Sequence, residues 1–128
     1  QEGDEKMIQL RTILVPADNT GAKRLMLIHI DGSPKQHYAC LGDKITCVID
    51  QADSAGVVKD SQIVKAVVVR TAKEHGRADG SYVRFDDNAA VIIDKDGNPL
   101  GTRIFGPVAR EIKDKGYKKI VSLAQELV

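Results

Sequence analysis

The side chains in this sequence best suited to chemistry are cations, and they are grouped. Lys65, Arg70, Lys73, Arg77 and Arg84 follow one another closely, and Lys23 and Arg24 form an adjacent pair. Across residues 103–119, Arg103, Arg110, Lys113, Lys115, Lys118 and Lys119 face only Glu111 and Asp114, a local net charge of +4. A guanidinium can grip phosphate oxygens through two parallel donors, whereas lysine supplies a mobile point charge. Such contacts position a protein on nucleic acid without reading its sequence. Any one of these residues reads more readily as a solvated surface charge; the expectation concerns the group.

Catalytic readings are weak by comparison. Asp86 and Asp87 are adjacent, so on a strand they would point to opposite faces rather than converge as an acid–base pair. His29, His37 and His75 show no metal-ligand or triad spacing, and Ser33, Ser54, Ser61, Ser81 and Ser122 lack a nucleophile elbow. Glycine loops of the usual phosphate-binding kinds are absent. Cys40 and Cys47, if on one strand, would lie ~23 Å apart, too far for a disulfide. The expectation is buried free thiols, no metal, no cofactor and no enzymatic activity.

One further stretch stands out: Gly101-Thr102-Arg103-Ile104-Phe105-Gly106-Pro107. Two glycines and a proline dictate a non-repetitive backbone. Ile104, Phe105 and Pro107 are the expected structural anchors, with Thr102 and Arg103 pointing outward. A packed connector and a contact loop are equally good readings of that chemistry.

The elements that must position these groups are mostly strands. Periodicity predicts strands over residues 7–15, 25–30, 44–49, 62–71, 82–85 and 89–93. In the third, Ile45, Cys47 and Ile49 share one face and Thr46 and Val48 the other. The fourth has the β-branched centre expected of a strand buried on both faces. Turn chemistry separates them at Asp18-Asn19-Thr20-Gly21, Asp31-Gly32-Ser33-Pro34 and Asp96-Gly97-Asn98-Pro99. Residues 106–112 read as a helix start, with Pro107 suited to the first helical position, and Gly116 stops that helix; residues 120–127 read as a short second helix or an extended tail, with helix favoured for their middle. Many short strands imply a small barrel, because closure removes exposed edges.

The 128 residues suit one domain, with aromatics at only 4%, so the core must rest on aliphatic side chains. No apolar run approaches the ~20 residues of a membrane span. The balance of 19 basic against 18 acidic residues gives no argument for nucleic-acid binding; the sorting of charge along the chain does. Residues 1–6 form an acidic segment, distinct from a domain over 7–128 with the barrel at about 7–95 and a C-terminal part at 96–128. The first residue is Gln, consistent with a processed, trimmed or partial chain, and no targeting sequence is visible.

Several words taken together are specific. Ala17-Asp18-Asn19-Thr20-Gly21-Ala22-Lys23, Lys65-Ala66-Val67-Val68-Val69-Arg70-Thr71, Asp79-Gly80-Ser81, Arg84-Phe85-Asp86, Asn88-Ala89-Ala90-Val91, residues 101–111 and Lys119-Ile120-Val121-Ser122-Leu123-Ala124 closely resemble the universal ribosomal protein L-fourteen family of the large subunit, bacterial and organellar type. The resemblance implies a mainly β fold: a small five-stranded β-barrel with a projecting β-ribbon and short C-terminal helices. It implies binding to large-subunit ribosomal RNA, for which Lys23, Arg24, Lys65, Arg70, Lys73, Arg77, Arg84, Arg110 and Lys113 are the candidates. It also implies a bridge to small-subunit RNA, neighbours such as ribosomal proteins L-three and L-nineteen, and a surface for a ribosome-silencing factor. Thr102, Arg103 and Lys119 match that bridge-facing surface; no membrane is implied.

The departures from the family are losses of base. The loop Ala72-Lys73-Glu74-His75-Gly76-Arg77-Ala78 carries an acid among fewer cations, Ser54-Ala55-Gly56 lacks an arginine, and Lys35-Gln36-His37 replaces paired bases. Each lost phosphate contact lowers the salt slope of RNA binding by about one. These losses suggest an organellar ribosome, in the mitochondrial matrix, with chloroplast and bacterial cytoplasm as alternatives.

Overall fold

The computed structural model describes residues 8–31 and 38–128. The acidic segment 1–6, most of the Asp31-Gly32-Ser33-Pro34 turn and Lys35-Gln36-His37 lie outside the described residues. Strands β1 (Ile13–Pro16), β2 (Leu25–Ile30), β3 (Lys44–Ile49), β4 (Ile63–Arg70) and β7 (Ala89–Ile93) form a closed barrel in the order β1-β2-β3-β4-β7. Four of the pairings are antiparallel, and the parallel β1–β7 pairing closes the ring. Outside the barrel, β5 (His75–Gly76) and β6 (Tyr82–Val83) make a two-stranded antiparallel ribbon. The C-terminal part holds β8 (Pro107–Val108), helices α1 (Glu111–Asp114) and α2 (Lys118–Leu123), and β9 (Glu126–Leu127). No helix among the described residues is long and apolar enough to cross a membrane.

Alternation along the strands fills the barrel. Leu14, Leu25, Leu27, Ile45, Cys47, Ile49, Val64, Ala66, Val68, Ala90 and Ile92 point inward into one cluster of buried aliphatics. Strands β4 and β7 are apolar on their outer faces too. Val67, Val69, Ala89, Val91 and Ile93 pack there against Ile104, Val108, Ile112 and Ile120 of the C-terminal part, which forms a second core. The unbroken apolar run of β4 thus follows from burial on both faces, as expected of a strand covered twice. A third, small cluster of Leu41, Val83, Phe85 and Ala109 lies under the ribbon.

Several expected boundaries shift, each for a local reason. The strand expected over 7–15 is broken by a turn at Leu10 and Arg11, where Arg11 adopts φ +72° and the Thr12 N–H donates to the Gln9 carbonyl at 3.0 Å. Ile8 still packs into the barrel cluster through a bridge to Ala39. The strand expected over 82–85 is only Tyr82–Val83, because its ribbon partner is two residues long. Pro107 is not the first helical residue: it lies in β8, and the helix begins at Glu111. Parallel pairing of Pro107 and Val108 with Glu126 and Leu127 holds that segment extended. The thiols also divide: Cys47 is buried, with burial pushing its pKa up to about 12, while Cys40 is exposed rather than buried.

Ile112 is fully buried at the centre of the second core. Ile112→Ala should destabilise the fold by about 2–5 kcal/mol through lost transfer energy and the cavity left behind. Urea unfolding checks this, the midpoint falling at unchanged slope.

Candidate nucleic-acid interface

The stretch 101–107 is fastened at both ends by side chains distant in sequence. At its start, Asn19 Oδ1 accepts from the backbone N–H of Thr102 at 2.8 Å and of Arg103 at 3.1 Å, and Asn19 Nδ2 donates to Thr102 Oγ1 at 2.8 Å. Gly101 is required by this clamp, because a Cβ there would sit 2.6 Å from Asn19 Oδ1. In the middle, Ile104 bridges to Asp18 and buries its side chain, and the Phe105 N–H donates to the Ala17 carbonyl at 2.6 Å. At its end, Arg70 Nη1 donates to the carbonyls of Phe105 at 3.0 Å and Pro107 at 3.4 Å. Gly106 takes φ +78°, and any Cβ there would collide with Arg70 Nη1.

Asp18 is the buried hinge of the arrangement. Its carboxylate accepts from the Thr20 hydroxyl at 2.7 Å and from the Ile92 N–H of β7 at 2.9 Å. Burial raises its pKa above the ordinary 3.8, and the hydrogen bonds only partly oppose that rise. The turn Asp18-Asn19 therefore joins β7 to the loop as well as reversing the chain. Its asparagine and aspartate read locally as turn formers, and their long-range role went unrecognised in the sequence. Their place in a shared family word was the one signal that pointed to more.

Of the expected loop anchors, Ile104 is buried and Pro107 half-buried, but Phe105 is 47% exposed. Phe105 is held through its backbone, so the expectation that its ring anchors the loop is corrected. Thr102 and Arg103 are exposed at the loop's outer edge, and Lys119 is exposed on α2.

The nine cations expected to face phosphate separate into committed and free. Arg70 is buried: it holds the two loop carbonyls, and its Nε lies 3.1 Å from Asp87 Oδ1. That Nε contact is an ion pair without hydrogen-bond alignment. Arg77 grips both oxygens of Glu111 at 3.0 Å and donates to the Val128 carbonyl at 2.7 Å. Its hydrogen bonds hold the Glu111 carboxyl below its ordinary 4.5 and raise the guanidinium in return. Lys65 donates to Asp31 at 3.0 Å and to Thr46 at 2.7 Å. Burial tends to raise the Asp31 pKa, but the hydrogen bonds it accepts from Lys65 and from the Thr46 hydroxyl at 2.9 Å, with the nearby charges of Lys65 and His29, outweigh burial and lower the carboxyl overall. Arg70 and Arg77 thus bind protein groups at largely buried positions, whereas Lys65, its side chain 43% exposed, holds Asp31 and Thr46 nearer the surface. Arg24 pairs with Asp50 at 3.2 Å, but both are about half exposed, and such a surface pair is worth only about 0–1 kcal/mol. Phosphate can displace it.

Lys23, Arg84, Arg110 and Lys113 are exposed, and Lys73 is half-buried. Arg110 and Lys113 line an open cleft of about 630 Å³ between the ribbon and α1, together with Arg77 and His75. Arg84 lines a second cleft, of about 390 Å³, with Arg70, Asp87 and Pro107. Asp87 there is the ion-pair partner of Arg70. No group of three or more metal-ligating side chains comes together among the described residues. The family model described as ribosomal protein L14p/L23e matches residues 7–128 of the chain.

Two measurements test this geometry. Asn19→Ala should speed amide exchange at Thr102 and Arg103 while leaving the barrel amides protected, whereas Arg70→Met should cost about 1.5–3 kcal/mol in urea unfolding, the range for hydrogen bonds to a charged group. The pH dependences of Asp18 and Glu111 should have opposite signs. The folded pKa of Asp18 is raised, so its stabilising contribution is full below 3.8 and is lost as pH rises through the folded value. That of Glu111 is lowered, so its contribution is full above 4.5 and is lost as pH falls through the folded value. The stability of the parent chain relative to Asp18→Asn should therefore fall with rising pH, and relative to Glu111→Gln should rise.

Proposed function

This chain belongs to the ribosomal protein L14p/L23e family, and on that premise we propose that it is a structural constituent of the large ribosomal subunit that binds ribosomal RNA and forms a bridge to the small subunit. The observation that carries the bridge is the fastening of the 101–107 loop. Asn19 at one end and Arg70 at the other fix its backbone, and Thr102 and Arg103 remain exposed between them. A cation on a preset backbone loses little conformational entropy on contact, so more of its charge-assisted hydrogen bonding is expressed as affinity.

Binding to large-subunit RNA falls to the free set: Lys23, Lys73, Arg84, Arg110 and Lys113, with Arg24 joining when its surface pair yields. Arg70, Arg77 and Lys65 support these residues by holding the loop, the ribbon and β3–β4 in place. Lys119, with Thr102 and Arg103, forms the candidate surface for small-subunit RNA or for a silencing factor that would block joining. Ribosomal proteins L-three and L-nineteen are the proposed protein neighbours. An organellar ribosome in the mitochondrial matrix is the proposed setting, because the base-poor loops leave fewer phosphate contacts than the family pattern implies. Recovery of the chain from ordinary bacterial cytoplasmic ribosomes would refute that setting.

Arg103→Glu should weaken subunit association by about tenfold, the equivalent of losing one charged hydrogen bond, with the isolated fold unchanged. Light scattering of subunit mixtures measures the first and thermal unfolding the second; unchanged association refutes the bridge. The two classes of arginine should also part in salt titrations of RNA binding. Arg84→Ala should lower the slope by about one, and Arg77→Met should lower stability while leaving the slope as it was.

A further inference from the structure

The ribbon carries an aromatic side chain that folding leaves in the open. Tyr82 of β6 is 72% exposed, more than any other large apolar or aromatic residue among those described. Aromatics make up only 4% of the sequence, so one of its few rings stands in water. Around it the chain alternates. Tyr82 and Arg84 are exposed, while Val83 and Phe85 are buried in the small cluster with Leu41 and Ala109. The two inward residues pin the segment, and the two outward ones share the opposite face. At the rise of an extended chain they stand roughly 6.6 Å apart. The ring is also seated. Tyr82 is registered opposite Gly76 of β5. A Cβ on Gly76 would lie 3.3 Å from Tyr82 Cε1 and 3.7 Å from Cδ1. One edge of the ring therefore rests on bare glycine backbone, and a larger residue there would push it aside.

A ring laid on a cross-strand glycine can serve the ribbon alone, by covering its backbone. A ring with that single task would turn its faces to the protein, and this one leaves most of its surface in water. Its surround says what it takes. The exposed residues beside it on the ribbon are Ser81, Arg84 and Glu74, all polar. A solitary ring among polar groups lacks the apolar centre of a protein interface. A nucleobase matches it, with a flat face to stack on the ring, polar edges left in water and a phosphate for the arginine. Charge alone would hold RNA weakly here, because Glu74 stands among the cations and Arg77 is committed to Glu111. Stacking does not draw on counterion release, so it supplies what a base-poor ribbon lacks.

We propose that Tyr82 is a stacking platform for an unpaired base of large-subunit RNA, with Arg84 gripping the phosphate of the same nucleotide or of its neighbour. The proposal rests on the chain's binding of that RNA. The base must be unpaired, because a base inside a duplex has both faces covered by its neighbours in the stack. The glycine seat sets the ring before contact, so little rotamer freedom is lost on binding. The ribbon thereby favours open RNA over duplex, a distinction that phosphate contacts do not make.

The chain contains no tryptophan, so Tyr82→Trp places a single reporter at the site. Its fluorescence should be quenched when the full-length variant binds purified large-subunit RNA, and should stay unchanged with a fully paired RNA duplex at saturation. Its affinity should equal or exceed the parent's. Tyr82→Leu should bind the large-subunit RNA about tenfold more weakly, with the salt slope and the thermal midpoint unchanged. Tyr82→Phe, which keeps the ring and drops the hydroxyl, should bind like the parent. Full affinity of Tyr82→Leu, or equal quenching by the duplex, overturns the proposal. So does quenching that appears only when a second ribosomal protein is added, which would mean that protein covers the ring. If Tyr82→Leu also lowers the midpoint, the tryptophan decides, and absence of quenching overturns the proposal. A parent chain that does not bind large-subunit RNA overturns the RNA-binding reading and this one together. A parent that binds, with a slope lowered by Arg84→Ala and an affinity indifferent to every change at position 82, overturns this one alone.

Discussion

Strands β4 and β7 are apolar on both faces, and the rest of the molecule follows from that constraint. Neither face can be left in water, so a barrel must close on one side and a further layer must cover the other. The barrel interior takes Ala66, Val68, Ala90 and Ile92, and the C-terminal part takes Val67, Val69, Val91 and Ile93. A chain that returns over the barrel must first turn back toward β4 and β7 after residue 98. The 101–107 loop is that return. Its two glycines serve the fastening, one giving way to Asn19 and the other to Arg70.

The same return disposes of charge. Arg70 lies at the end of β4, where the returning backbone passes, and its guanidinium meets two carbonyls in a setting that is nearly dry. Arg77 on the ribbon meets Glu111 on the first helix and the carbonyl of the last residue. Both are among the residues that look best suited to phosphate when only their type is considered. Desolvation and a fitted carboxylate or carbonyl make them structural, and the cations left free are those on helix surfaces and loop edges. Loop 101–107 combines both kinds: its backbone is held by a committed arginine, and its exposed edge carries a free one.

Much of the fold was legible in residue pattern. Strands 25–30 and 44–49 coincide with β2 and β3, and the doubly buried centre of β4 shows in four consecutive aliphatics. The misplacements occur where a short-range pattern was overruled. Residues 82–85 look like a strand but have only a two-residue partner. Pro107 looks like a helix start but is held extended by pairing with Glu126, far along the chain. Phe105 looks like an anchor because it is large and apolar, yet the loop is already fixed by its backbone and Ile104.

The sequence by itself determined the barrel class, the positions of its central strands, the family and the identity of the loop. Those properties are carried by period, composition and contiguous words, all of which are local. Only the tertiary structure decided which cations are paired among the described residues and what holds the loop. Asn19 meets Thr102 across 83 residues and Arg77 meets Glu111 across 34. Contacts over such distances are fixed by the packing of the second core, and no local pattern encodes which donor will find which acceptor.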